Sequence, residues 1–201
     1  MTRAIRRPVI LGEVLYDRFP DGSERLGGAP FNVAWHLRGF GRDPRLITRV
    51  GRDEAGSRIL RTMEGWGLAA DGVQVDPERG TGRVVVRLDG EEASFDIPSG
   101  QAFDRTAPPD AASLPEAGES FLYHGTLALR EGGAEALAAL RGTCAGTFVD
   151  VNLRDPWWSA DQVAALLDAA DWAKLNHHEL ERLAPEGGAA ALCRRHGLRA
   201  A

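Results

Sequence analysis

A glycine pair leads into a short helix between residues 27 and 41, where the sequence reads GGAPFNVAWHLRGFG. Gly27 and Gly28 carry no Cβ, so their backbone can adopt positive φ or approach another group closely. Pro30 suits the first turn of a helix, where its missing N–H removes no hydrogen bond. Asn32 lies in the same turn, beside N–H groups that have no partner within the helix. The pattern predicts a helix whose N-terminus is open to a polar ligand.

The spacing of apolar residues predicts which face of this helix is buried. Val33, Leu37 and Phe40 occur at i, i+4 and i+7, which places them on one face that should contact the core. Gly41 follows, and a glycine after the last periodic residue is typical of a helix end. We therefore expect Phe40 to be buried and the helix to stop before Gly41.

Strand and helix patterns alternate along most of the chain. Such alternation predicts a three-layer α/β sandwich, with a mostly parallel central sheet and helices on both faces. Ligands of such sheets bind at the carboxyl ends of the strands. The predicted strands are 9–11, 45–50, 121–124, 147–151 and 172–175, and the predicted helices are 54–64, 131–140, 160–170, one from 177 and 189–196.

One segment departs from this alternation. Residues 82–88 and 93–97 are two β-rich runs joined by Asp89 and Gly90, a pair typical of hairpin turns. Val84, Val86 and Leu88 would share one face of the first strand. The segment is either a small β appendage beside the main sheet or an ordinary surface hairpin.

Two further groups of polar residues follow predicted strands. Asp150, Asn152 and Arg154 alternate with apolar residues, so their side chains would share one direction if the strand continued. Arg154 could then bind a phosphate or carboxylate through two hydrogen bonds. Asn176 and Glu179 form an N-x-x-E pair at a helix start, a pattern that also fits a capping box needing no ligand.

Composition narrows the function classes. The 201 residues are 43% hydrophobic and 26% charged, as expected for a single globular domain. A formal net charge of −5 argues against a nucleic-acid partner, which requires an excess of clustered Lys and Arg. Cys144 and Cys193 fit neither a disulfide framework nor a zinc pattern, so we expect a cytoplasmic protein. No apolar run approaches the roughly 20 residues that span a bilayer, so we expect no membrane association.

The glycine-rich segment resembles the N-terminal signature of the PfkB or ribokinase family of carbohydrate kinases. Asn32 follows Gly28 by four residues, Gly41 and Gly51 fall at the intervals of that signature, and Asp17 lies in the polar stretch after the first strand. The resemblance covers the chain from near Pro8 to its end. It implies a ribokinase-like fold in which elements near 13–26 and 82–97 form a β lid, and this lid often also serves as a homodimer interface.

The resemblance also implies an activity, which is ATP-dependent phosphorylation of a sugar hydroxyl with Mg²⁺. The segments GEVLYD, AFD, NLRDPWW and KLNHHEL are most similar to fructokinases, and 2-keto-3-deoxygluconate kinases are the alternative. Arg154 would lie near the transferred phosphate or an acidic sugar, and Glu179 would serve the magnesium through water. By the same resemblance, the residues implied to bind the sugar are Asp17, Gly27, Gly28 and Asn32, and those implied to serve the nucleotide are Lys174, Asn176 and Glu179.

One expected motif is missing from the 201 residues. The family's catalytic base and its anion hole come from a G-A-G-D motif, and the sequence contains none. Members of the family are also longer. We therefore expect these residues to be an incomplete PfkB-type kinase domain, with the base encoded beyond Ala201. Two other hypotheses remain: a noncatalytic sugar-binding remnant and a plain α/β binding module.

Overall fold

The computed structural model describes residues 7–89, 92–110 and 118–201. In chain order its strands are β1 (Val9–Leu11), β2 (Leu15–Arg18), β3 (Glu24–Gly27), β4 (Arg45–Gly51), β5 (Val73–Asp76), β6 (Gly82–Asp89), β7 (Glu92–Asp96), β8 (Phe121–His124), β9 (Gly146–Asp150) and β10 (Trp172–Lys174). The α-helices are α1 (Ala29–Gly39), α2 (Glu54–Trp66), α3 (Ala134–Arg141), α4 (Ala160–Asp168), α5 (His177–Leu183) and α6 (Gly188–His196).

Six strands form a central sheet in the order β10-β9-β8-β1-β4-β5. Every neighbouring pair in this sheet is parallel. All the predicted strands of the main sheet are present within one residue of their predicted ends, and β5 joins them as an edge strand that the sequence patterns did not predict. Because the strands are parallel, their carboxyl ends meet at one edge of the sheet.

Helices cover both faces of this sheet, which confirms the predicted three-layer sandwich. Side chains of β1 alternate between the faces, as the pleat of a strand requires. Val9 and Leu11 pack into one apolar cluster with α3, α4 and α6. Ile10 packs into a second cluster with α1 and α2. The first strand therefore lies at the centre of the core and belongs to both of its halves.

A second sheet of four strands lies beside the first, in the order β3-β2-β6-β7. β2 pairs antiparallel with β3 and parallel with β6, and β6 pairs antiparallel with β7. The predicted hairpin strands are thus present, while Gly90 of the predicted turn lies outside the described residues. Val84 and Val86 are both 3% exposed, as their shared face predicted. We call this four-stranded sheet the small sheet.

Helix boundaries follow from local chemistry. The side chain of Asp53 accepts a hydrogen bond from the N–H of Gly56 and caps the start of α2, and Gly67 ends the helix with φ of 72°. Ser159 caps α4 in the same way through the N–H of Gln162. α3 begins at Ala134, three residues later than predicted, because Gly133 adopts a left-handed conformation there. None of the helices in the described part of the chain is both long and apolar enough to cross a bilayer.

The prediction for the buried face of α1 is partly wrong. The helix ends at Gly39, so Phe40 lies past its last turn and is 81% exposed. Pro30, Phe31 and Ala34 form the buried face instead, with Val33 and Leu37 packed partly against the same cluster. Gly41 follows with φ of 72°, as expected for a residue that ends the helix.

Candidate active site: a cavity between the two sheets

A cavity of about 200 Å³ lies where the carboxyl ends of β1, β8 and β9 face the small sheet. The main sheet supplies residues that follow its strands, α1 supplies its first turn, and the small sheet supplies apolar side chains. This position agrees with the edge at which parallel sheets bind ligands. The lining residues are Glu13, Leu15, Asp17, Gly28, Ala29, Asn32, Val84, Phe95, Ile97, Leu127, Asn152 and Arg154.

No larger residue fits at either glycine of the turn before α1, and Gly28 of this pair lines the cavity. Gly28 has φ of 106°, and a Cβ added there would lie 2.6 Å from the backbone oxygen of Glu13. A Cβ at Gly27 would lie 2.8 Å from Oδ2 of Asp17. The turn therefore brings the start of α1 against two acidic residues. Asn32, which is exposed, projects from the first turn of the helix and borders the cavity.

Asp17 enters the cavity from β2 of the small sheet. Its carboxyl group is half-buried, and burial raises its pKa, while the nearby Arg154 guanidinium lowers it. Asp17, Gly28 and Asn32 all border the cavity, so three of the four residues that the resemblance assigned to the sugar meet there, whereas Gly27 is not among the lining residues.

The small sheet also covers the cavity with apolar groups. Val84 of β6, Phe95 of β7 and Ile97 just after β7 all line it. The guanidinium carbon of Arg154 lies 5.6 Å from the centroid of the Phe95 ring, a cation–π distance. Arg154 therefore links the main-sheet side of the cavity to the small sheet.

The polar residues after β9 do not continue the strand. β9 ends at Asp150, and Asn152 has φ of 41°, so the strand alternation that would have aligned three polar side chains is broken. Asn152 and Arg154 line the cavity. Asp150 instead accepts hydrogen bonds from the Tyr123 hydroxyl at 2.7 Å and from Lys174 Nζ at 2.9 Å. Because of this turn, Asn152 and Arg154 line the cavity, whereas the carboxylate of Asp150 is bonded outside it.

Asn176 and Glu179 form the capping box that the sequence allowed. Asn176 Oδ1 accepts the N–H of Glu179, and Glu179 Oε2 accepts the N–H of Asn176. Glu179 is 4% exposed, and its Oε1 accepts the N–H of Leu153 at 2.7 Å. This last bond ties the start of α5 to the loop that carries Asn152 and Arg154.

The residues assigned to the nucleotide lie outside the cavity. Lys174, Asn176 and Glu179 follow one another around the carboxyl end of β10, and none of them is among the cavity's lining residues. The side chain of Lys174 is 55% exposed beside Asp150. Within the described ranges, no group of three His, Cys, Asp or Glu residues could hold a metal ion by itself. A magnesium contact of Glu179 through water stays a prediction.

Sequence reasoning missed Glu13. It follows Gly12 after β1, lines the cavity and is only 3% exposed. Burial raises its pKa to about 7, although the backbone N–H groups of Glu13 and Ala29 act in the opposite direction. The sequence signal that could have identified it is an acidic residue that follows the first buried strand and Gly12.

A larger cavity of about 410 Å³ lies beside β4 and β5, and it is a weaker candidate. Its polar side chains are already bonded to other groups of the protein. Asp71 pairs with two arginines, Arg49 donates to a backbone oxygen, and Gln74 bonds the backbone of Ala107. The first cavity, in contrast, brings several polar groups together around one space.

Comparison with known proteins identifies the family. The model of the pfkB family carbohydrate kinases matches residues 2–196. Fructokinases from Klebsiella pneumoniae and Escherichia coli are 30% and 32% identical to this chain over 186 and 192 residues. Both matches cover 85% of this chain and 60% of the relative, so the chain spans about 60% of the length of these curated relatives.

Solved structures agree with the fold. A Vibrio cholerae O395 fructokinase in apo form has a TM-score of 0.75 at 25% identity, covering 90% of this chain and 67% of that one. Halothermothrix orenii fructokinase has a TM-score of 0.80 at 23% identity, covering 94% and 75%. A double mutant of the Vibrio cholerae enzyme, solved with fructose, ADP and potassium, has a TM-score of 0.79 at 23% identity, covering 98% and 68%. With the family model matching nearly the whole sequence, this chain belongs to the pfkB family of carbohydrate kinases.

Proposed function

We propose that this chain is the sugar-binding part of an ATP-dependent carbohydrate kinase and that its sugar is fructose. The observation that carries the proposal is the cavity in which Asp17, Gly28 and Asn32 meet under a cover from the small sheet. Its volume of about 200 Å³ is below the range of about 300–1,000 Å³ typical for drug-sized ligands, and suits a monosaccharide.

The lining of the cavity matches the two kinds of surface on a sugar. The carboxylate of Asp17 accepts hydrogen bonds from hydroxyl groups, and the amide of Asn32 both donates and accepts them. Val84 and Phe95 offer an apolar wall for the C–H face of the ring. Two acidic side chains, Asp17 and Glu13, face a single arginine, which favours a neutral sugar.

The phosphoryl-transfer chemistry is proposed on family grounds. We assign the ATP side to the carboxyl ends of β9 and β10, where Lys174, Asn176 and Glu179 lie together. Bound Mg²⁺ would neutralise charge on the phosphates, and it commonly keeps several waters, which fits an indirect role for Glu179. Arg154 would lie near the transferred phosphate. Because the 201 residues contain no G-A-G-D motif, the base for the acceptor hydroxyl is proposed to lie beyond Ala201.

Two alternatives remain open, each with its own observation. Arg154 lines the cavity and could pair with the carboxylate of an acidic sugar, which favours a 2-keto-3-deoxygluconate kinase. The missing motif favours a noncatalytic sugar-binding remnant. The small sheet also suggests a homodimer interface, because Val85, on the face of β6 opposite to Val84 and Val86, is 38% exposed.

Isothermal titration calorimetry with fructose and with 2-keto-3-deoxygluconate tests the proposed ligand. We expect fructose to bind, and Asp17→Ala to weaken its binding at least about tenfold, because a charged hydrogen-bond acceptor is lost. Asp21→Ala is the matched control, since Asp21 is exposed in the turn between β2 and β3 and bonds only Ser23 among the described residues. Stronger binding of the acidic sugar would contradict fructose, and binding of neither sugar would contradict the sugar-binding proposal.

A coupled ADP assay on the same 201-residue chain tests where the base lies. We expect no turnover of fructose, because the motif that supplies the base is absent. ATP-dependent turnover that Asp17→Ala abolishes would show that these residues are a complete enzyme.

A further inference from the structure

Glu13 places a buried carboxyl group with spare hydrogen-bonding capacity in the wall of the cavity. The residue is 3% exposed, and its backbone oxygen lies against the glycine turn. Its Oε2 has no hydrogen-bond partner among the described residues and is shielded from bulk solvent. Buried carboxyl oxygens without partners are uncommon, because desolvation is then not offset.

The charged and titratable groups around Glu13 come from four elements. Asp17 approaches from β2, and Arg154 from the loop after β9. Asp150 lies at the end of β9, and Tyr123 of β8 is hydrogen bonded to it. Arg154 favours the ionised form of Glu13 and Asp150 opposes it. The effect of the Arg154 charge on Glu13 is thus opposed by a nearby acid. Arg154 also makes no hydrogen bond to the carboxyl group of Glu13 within the described structure.

We propose that Glu13 is a further sugar-binding residue, whose carboxylate accepts a hydrogen bond from one hydroxyl group of a neutral sugar in this cavity. The inference rests on the proposed sugar-binding function and extends it by naming a binding group. A sugar hydroxyl supplies the donor that Oε2 lacks when the carboxyl group rotates to turn this oxygen toward the cavity. An acidic sugar would instead bring a second carboxylate against Glu13 and be repelled.

The pKa of Glu13 makes this contact measurable. Burial raises it to about 7, so the group changes charge between pH 6 and pH 8. A hydroxyl donor binds more strongly to the ionised carboxylate, so fructose affinity should rise with pH across this range. We expect about a fivefold rise, the factor that separates neutral from charged hydrogen bonds. The affinity for an acidic sugar should fall over the same range.

Calorimetry with fructose at pH 6, 7 and 8 tests the inference on the 201-residue chain. Wild type should show the rise, whereas Glu13→Gln should bind fructose more weakly at pH 8 and with little pH dependence. Glu13→Asp keeps a titrating carboxyl group and should retain a pH dependence, and Glu186→Gln is an exposed control that should match wild type. Monodeoxy analogues of fructose extend the test to unmodified protein, because the analogue lacking the contacted hydroxyl should lose the pH dependence.

The possible failures are distinct. If wild type binds fructose but Glu13→Gln keeps the same affinity and pH profile, the role of Glu13 is wrong and the sugar site stands. If wild type binds fructose with no pH dependence between pH 6 and 8, the inference is also wrong. If wild type binds no sugar at any pH, the proposed function is wrong and the inference fails with it.

Discussion

At the scale of single residues, the glycine turn before α1 combines a backbone requirement with a packing requirement. Gly28 has positive φ and no room for a Cβ, because the backbone oxygen of Glu13 occupies that space. Gly22, in the turn between β2 and β3, also has positive φ, at 83°, but a Cβ there would meet no atom within 4 Å. A side chain at Gly28 would therefore meet both backbone strain and a steric clash, whereas a side chain at Gly22 would meet backbone strain alone.

Gly28→Ala should destabilise the protein by about 3 kcal/mol or more, since strain and a backbone clash act together. Gly22→Ala carries only the conformational term and should decrease the free energy of unfolding by about 1–2 kcal/mol. Urea denaturation followed by circular dichroism measures both values. Equal losses in the two variants would contradict the steric argument.

The residue scale also shows where sequence reasoning succeeds and where it stops. The turn and the start of α1 were predictable, because Gly, Pro and Asn each have a local conformational preference. Phe40 was wrongly expected in the core, since a periodic pattern does not show that a helix has already ended at Gly39. Glu13 was missed because the burial that raises its pKa arises from tertiary packing, which no local sequence pattern shows.

At the scale of elements, one buried ion pair connects the small sheet to the main sheet. Arg130, just after β8, pairs with Asp104 at 2.7 Å, and both side chains are almost fully buried. Arg130 also donates to the backbone oxygens of Ile97 and Pro98, which follow β7. Its guanidinium lies 4.5 Å from the centroid of the Trp157 ring. The segment after β7, including the cavity residue Ile97, is held by these contacts.

Arg130→Met should decrease the free energy of unfolding by about 3–5 kcal/mol, because it leaves the carboxylate of Asp104 buried without its partner. Arg182→Met is the matched control. Arg182 pairs with Asp155 on the surface, where both side chains are about half exposed or more, so the loss should be below about 1 kcal/mol. Denaturant titration of the two variants measures their free energies of unfolding. Similar decreases in both would contradict the larger stabilising role of the buried Arg130–Asp104 pair.

The elements themselves were largely predictable, whereas the loop after β9 was not. Strand and helix periodicity is a local property, and most predicted boundaries agree with the structure to within a few residues. The left-handed conformation of Asn152 is set by its tertiary surroundings, including the bond from Leu153 N–H to Glu179. A sequence pattern that assumes a continuing strand has no information about that bond.

At the scale of the whole molecule, two buried titrating groups act on stability in opposite directions. His124 is completely buried, with Nδ1 bonded to the oxygen of Gly125, and burial lowers its pKa to about 4. The unfolded chain binds this proton at about pH 6.5, so stability falls as the pH drops from 6.5 to 4. Glu13 has a raised pKa of about 7 in the folded state, compared with 4.5 when unfolded, so stability rises as the pH drops from 7 to 4.5.

These two effects should nearly cancel in wild type between pH 6.5 and 4.5. Glu13→Gln removes the stabilising proton uptake, so its free energy of unfolding should fall by about 3 kcal/mol more than that of wild type between pH 7 and 4.5. His124→Asn removes the opposing effect and should become more stable on acidification relative to wild type. Urea titrations at pH 7, 6, 5 and 4.5 measure the slopes, and parallel slopes in all three proteins would contradict this balance.

The position of β1 in the centre of the main sheet has a consequence for protein synthesis. β1 is the first strand of the described chain to leave the ribosome, yet its neighbours β4 and β8 follow about 35 and 110 residues later. Pairing between segments so distant along the chain is slow to form. The nascent chain must therefore carry an apolar strand without its second neighbour until more than half of these residues have been made. Early partners such as α1 and β4 would shield one side of β1 during that interval, leaving its other edge to be protected by the growing chain or by a chaperone.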